Sequence, residues 1–123
     1  MINLTKYKYF KPYEFECAVP RCRIDDMDKD FLRALDSARE LAGIPFRINS
    51  AYRSKDYELA KGRTGTSSHT KGLAVDIACS DSRKRYLIVN SLIAVGFMRI
   101  GINKTYIHVD ADSDKRASIW LYQ

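Results

Sequence analysis

The chain has 123 residues, 46% of them hydrophobic and 29% charged, with a net charge of +6 and a pI near 9.3. That length and apolar share suit one compact domain with one core, spanning residues 1–123. No apolar run approaches the roughly 18 residues that a spanning helix needs, so no transmembrane segment is expected.

The N-terminus, M-I-N-L-T-K-Y-K-Y-F, carries charge with no apolar segment after it. It does not read as a signal peptide, and the expectation is a protein made in the cytoplasm. Residues 1–24 are rich in aromatics and are expected as an extended segment packing on the core. A helix is expected from about Met27 to Ala42, capped by Asp25 or Asp26. Its apolar face would hold Phe31, Ala34, Leu35, Ala38, Leu41 and Ala42. Gly43 and Pro45 end it. P-F-R-I-N-S-A-Y-R-S reads as a strand that delivers Arg53, and Ser54 can cap a short helix. K-G-R-T-G-T-S-S is a loop leading to His69.

From Leu73 the chain alternates as a strand, with Leu73, Val75 and Ile77 on one face and Ala74, Asp76 and Ala78 on the other. A second helix follows from about Ser82 to Val95, with Tyr86, Leu87, Asn90, Ile93 and Ala94 at helical spacing, and Gly96 closes it. Residues 97–102 form a strand, Asn103 and Lys104 turn, and Tyr106 to Asp110 pair back antiparallel. Here Tyr106, His108 and Asp110 share a face. R-A-S-I-W-L-Y adds an edge strand or packs through Trp120 and Tyr122. The order of elements implies α+β, a central antiparallel sheet with helices packed on it.

The chemistry concentrates in S-S-H-T-K-G-L-A-V-D and Y-I-H-V-D, which hold His69 and His108, the two histidines of the chain. If the two strands are neighbours, Asp76 and His108 point into one cleft, and His69 can close the set from the preceding loop. Two imidazoles and a carboxylate with a fourth position free is the form of a catalytic zinc site. Gly72 can end the turn before the strand at low steric cost. Cys17, Cys22 and Cys79 are odd in number, which favours free thiols or one local bridge over a second metal site. The basic residues are scattered, so no specific nucleic-acid partner is expected, only a general attraction to polyanions.

These motifs resemble the zinc D-Ala-D-Ala carboxypeptidases, in the superfamily of lysostaphin-type peptidases and Hedgehog domains. S-x-H-x-x-G-x-A-x-D is complete from Ser67 to Asp76, H-x-D is His108 to Asp110, and S-A-Y-R-S is Ser50 to Ser54. The resemblance covers roughly residues 10–120. It implies zinc held by His69, Asp76 and His108, with Arg53 contacting the substrate or the oxyanion, and Tyr52 and Ser67 beside the substrate. It implies action on peptidoglycan stem peptides at a D-alanine bond, as endopeptidase or carboxypeptidase. A small basic chain without a leader fits a monomeric phage endolysin that reaches the cell wall after release. Many relatives carry a Glu or Asp, the general base, three residues before the last histidine, where this chain has Thr105. Asp110 is either the replacement base or a group orienting His108 or Arg53, and Asp112 is the next acidic candidate. An L-Ala-D-Glu peptidase and a non-catalytic zinc-stabilised module are the alternatives.

Overall fold

Helix α1 runs from Lys29 to Ala42. Its cap is Asp28, whose side chain accepts from the Phe31 N–H at 2.9 Å. The expected caps lay two or three residues earlier. Asp28 wins because its reach to the third residue on ends at Phe31, the first core side chain of the helix. The computed structural model describes residues 27–50 and 68–122. The N-terminal segment, the strand end with Tyr52 and Arg53, the helix expected after Ser54 and the loop through Ser67 lie outside the described residues.

Phe31, Leu32, Leu35, Ala38 and Ala42 are the buried stripe of α1. Leu41, expected on that stripe, is 63% exposed. At helical spacing it falls to one side of the stripe that Phe31, Leu35, Ala38 and Ala42 define. Strand β1 (Ile48–Ser50) follows, then a single tight helical turn (Ser68–Lys71) and β2 (Ala74–Ala78). Helix α2 (Ser82–Ala94) is capped by Asp81, which accepts from the Lys84 N–H at 2.8 Å. Its buried residues are Ile88, Ser91 and Leu92, not the expected stripe. Tyr86 and Ile93 are at least half exposed. Apolar residues surround most of this helix, so helical period alone did not choose the face. The buried Ser91 hydroxyl is satisfied by the Ile88 carbonyl at 2.8 Å.

Strands β3 (Arg99–Ile102) and β4 (Tyr106–Asp110) form the expected hairpin. Its turn is braced by Asn103, whose side-chain oxygen accepts from the Thr105 N–H and hydroxyl. The tail adds β5 (Ser118–Leu121) at the sheet edge. The order is β1-β2-β4-β3-β5. The neighbouring pairs are antiparallel except β3 with β5. The chain leaves β4, passes β3 and returns on its outer edge. A return that skips one antiparallel strand lands parallel to it, so the sheet is mixed.

Both helices contribute to one core with the sheet. Val75, Ile77, Ile100, Ile107 and Val109 lie buried in one cluster with Phe31, Leu35, Leu92 and Phe97. Phe31 and Phe97 meet edge to face at 5.5 Å. The alternate residues of the same strands form the other face, where the site lies. Cys79 is buried as a free thiol at the end of β2. Among the described residues no helix is long and apolar enough to cross a membrane.

Truncating Leu35, which has no exposed surface, tests the core assignment. Leu35→Ala should lose about 2–5 kcal/mol in urea unfolding. Leu41→Ala should stay within about 0.5 kcal/mol of the parent.

Candidate metal centre

The register of β2 and β4 sets Asp76 directly opposite His108. The same row continues to Gly101 on β3 and Trp120 on β5. His69 enters from the turn before β2. That turn is closed by the Gly72 N–H on the His69 carbonyl and the Leu73 N–H on the Ser68 carbonyl, each at 3.3 Å. Gly72 has φ of 71°, the left-handed region that lets the chain swing from turn to strand without a Cβ clash. Its carbonyl accepts from the Asp28 N–H at 2.9 Å, which ties the turn to the start of α1.

These elements bring His69, Asp76 and His108 together. One ligand atom from each lies within 4.8 Å of the others. Asp76 Oδ1 is 3.3 Å from His69 Nε2 and 2.9 Å from His108 Nδ1. Both imidazoles are buried, and Asp76 is nearly so. The other nitrogen of His108, Nε2, meets Asp110 Oδ2 at 2.7 Å. Asp110 therefore stands behind the ring, on the nitrogen remote from Asp76. Its second oxygen accepts from Arg99 Nε at 2.7 Å and from the Asp112 N–H at 3.1 Å. Arg99 also donates to the Arg116 carbonyl.

This set fits a transition-metal ion on its own chemistry. Two imidazoles and a carboxylate are borderline-soft donors of the kind zinc takes. A ligand histidine almost always has its remote nitrogen held by a carboxylate or carbonyl, and Asp110 does that here. Nδ1, 2.9 Å from Asp76 Oδ1, is the nitrogen that faces the centre.

The sequence model of the Peptidase M15 family matches residues 8–110. The chain belongs to that family. No curated protein matches it. The M15 match takes in both histidine motifs and stops at Asp110, so Asp112, Lys115 and Trp120 lie beyond it.

Burial would raise the Asp76 carboxyl, but hydrogen bonds from His108 and His69 outweigh it and hold the group well below the usual carboxylate range. For His108, burial favours the neutral ring, yet bonds to Asp110 and Asp76 outweigh that and raise its pKa. A proton and a cation therefore compete for Nδ1. Burial works against ionised Asp110 too, and is overcome by His108, the Asp112 N–H and Arg99.

The site is completed by Arg99, Gly101 and Lys71, which sequence reasoning passed over, and by Tyr106, Asp112, Trp120 and Tyr122, which it named in other roles. Trp120 lies with its ring 5.6 Å from that of His108, and Arg99 stacks on the indole at 4.8 Å. Gly101 makes the approach possible, since a Cβ there would lie 2.6 Å from the indole. Tyr122 and Tyr106 extend the aromatic wall. Asp112, buried, accepts from Ser68 Oγ at 2.8 Å and from Lys71 Nζ at 3.0 and 3.1 Å. It clamps the His69 turn to the segment after β4. Arg99 could have been found by counting back from the hairpin turn, which sets it opposite Asp110. Arg53, Tyr52 and Ser67 lie outside the described residues.

The single tryptophan makes metal binding observable. Paramagnetic Co²⁺ should quench Trp120 fluorescence in metal-free protein, saturating at about one equivalent, and His108→Ala should abolish the effect. Full quenching with an unchanged endpoint in that variant would move the ion elsewhere.

Asp112 gives a pH test. Burial opposes its charge, but Ser68 and Lys71 bring its pKa down to about 2 from an ordinary 3.8. A depressed carboxylate stabilises fully above its unfolded value and loses that contribution as pH falls through the folded one. Asp112→Asn should therefore be less stable at pH 7, and its stability should fall less steeply than the parent's between pH of about 4 and about 2, read by urea unfolding.

Proposed function

We propose that this M15 peptidase is zinc-dependent and hydrolyses peptidoglycan stem peptides at a D-alanine-containing bond, as an endopeptidase or D,D-carboxypeptidase. The observation that carries the reading is the convergence of His69, Asp76 and His108 in a chain of this family. These three would hold the ion. When bound, zinc supplies Lewis acidity, activating water and polarising the carbonyl of the scissile bond. The biological setting we favour is a small monomeric single-domain endolysin of a phage or prophage, acting on the cell wall after release. The motif order and the basic composition support it.

The chain's own residues take distinct parts. Asp110, bonded to His108 Nε2, would favour the tautomer that leaves Nδ1 free for the centre. Arg99 and the Asp112 N–H keep Asp110 ionised and in place. We read Asp110 as a positioning residue rather than the general base, because His108 stands between it and Asp76. Arg53 is proposed to meet the developing oxyanion with its forked donors, with Tyr52 and Ser67 beside the substrate. One observation favours a second reading, a non-catalytic zinc module: Thr105, where relatives carry an acid, has its hydroxyl bonded to Asn103 in the hairpin turn.

Digestion of purified sacculi with zinc-loaded protein should release new amino groups, and mass spectrometry of the products identifies the bond. Cleavage between L-Ala and D-Glu would assign the related specificity, and no cleavage would favour the module. Asp110→Asn separates the two roles of that residue. As a positioning group its loss should lower zinc affinity about 10–100-fold while turnover at saturating zinc largely recovers. A turnover deficit of about a hundredfold or more with unchanged zinc affinity would make it the base.

A further inference from the structure

A cavity of about 440 Å³ opens over the three candidate ligands. Its wall beside His108 is aromatic, formed by Tyr106, Trp120 and Tyr122. Its wall beside His69 is polar, formed by Ser68 and Lys115. Two cationic side chains of the described residues line it, Arg99 and Lys115. Arg99 is committed to Asp110 and the Arg116 carbonyl.

Lys115 is placed differently. Its Nζ donates to Ser68 Oγ at 2.9 Å. Among the described residues its carboxylate partner is Asp112, 3.6 Å away, which already accepts from Ser68 and twice from Lys71. Lys71 also binds Asp114 and lies outside the cavity lining. The acidic pair is thus answered mainly by Lys71. An ammonium has three N–H donors, and one bond to a hydroxyl leaves two. The side chain is 38% exposed, so the charge is hydrated yet braced from behind. An ammonium braced by a serine at the rim of a cavity suits an anionic oxygen.

We propose that Lys115, held by Ser68, forms a subsite for a carboxylate of the substrate next to the metal centre. The ligand class is a peptide with a free carboxylate close to the bond presented to the metal. The carboxylate can come from the peptide's C-terminus or from an acidic side chain. The proposal rests on the peptidase reading above for its substrate, and on the Lys115 geometry for the site.

The test compares zinc-loaded wild type, Lys115→Met, Lys115→Gln and Lys115→Arg, with urea unfolding and zinc content as controls. The probes are an N-acetyl dipeptide with a free C-terminal carboxylate, its C-terminal amide, and a C-terminally amidated peptide with an acidic side chain. Calorimetric binding should show wild type preferring at least one acid over the neutral amide by about tenfold or more, the scale of a charge-assisted bond. Which acid carries the preference identifies the source. The ratio should fall below about twofold in the Met and Gln variants and return in the Arg variant, and any turnover loss should appear in KM rather than kcat. An unchanged ratio, or an equal loss for acid and amide, would overturn the subsite and leave Lys115 a brace for the His69 turn. Binding is read without cleavage: selective binding by a protein that cuts no stem peptide would refute the peptidase reading and keep the subsite.

Discussion

The pairing of β2 with β4 is the constraint on which the rest of the molecule depends. Five residue pairs, from Ala74 opposite Asp110 to Ala78 opposite Tyr106, set Asp76 against His108. The same pairing turns Val75, Ile77, Ile107 and Val109 into the core. A slip of β2 by one residue would turn that strand over, burying the Asp76 carboxylate in the core and moving Val75 and Ile77 to the site face. Core and site therefore specify one register together. The hydrophobic term that stabilises the fold also enforces the ligand geometry.

The second feature is the ordering of charge across the sheet. Asp76, His108, Asp110 and Arg99 follow one another in a hydrogen-bonded chain in which the His108 ring links two carboxylates and Arg99 neutralises the outer one. Buried charges are tolerable only when paired and hydrogen-bonded, and each member here has its neighbours. The row from Asp76 to Trp120 passes through Gly101, where the missing side chain leaves room for the indole. Trp120 then shields His108 on one side while Arg99 stacks on the indole. The line of chemistry and its cover come from four adjacent strands.

Much of this was legible before any coordinates. Alternation in L-A-V-D-I-A and Y-I-H-V-D separates a core face from a ligand face, and the strands are neighbours as that pattern requires. The hairpin lies where Asn103 and Lys104 announce it. Helix faces were less legible. α2 carries apolar residues around most of its surface, and only packing selects Ile88 and Leu92 over Tyr86 and Ile93. The direction of β5 was not legible either, because strand propensity does not say which edge a returning chain will take. Lys115 and Asp112 carry no periodic signal. Their importance arises from contacts across more than forty positions of sequence, Asp112 to Ser68 among them.

The three candidate ligands are not held with equal stiffness. Asp76 and His108 stand on adjacent strands in the middle of the sheet, locked by backbone pairing on both sides. His69 stands on a four-residue turn, tied to α1 by one backbone bond at Gly72 and to the segment after β4 by the side-chain clamp of Ser68, Lys71 and Asp112. Two of the three candidate ligands are thus fixed by the sheet and the third by a turn. Short turns open locally far more readily than central strands. If these three residues hold an ion, His69 is the arm whose local opening would set the rate of its release, because the other two move only with the sheet.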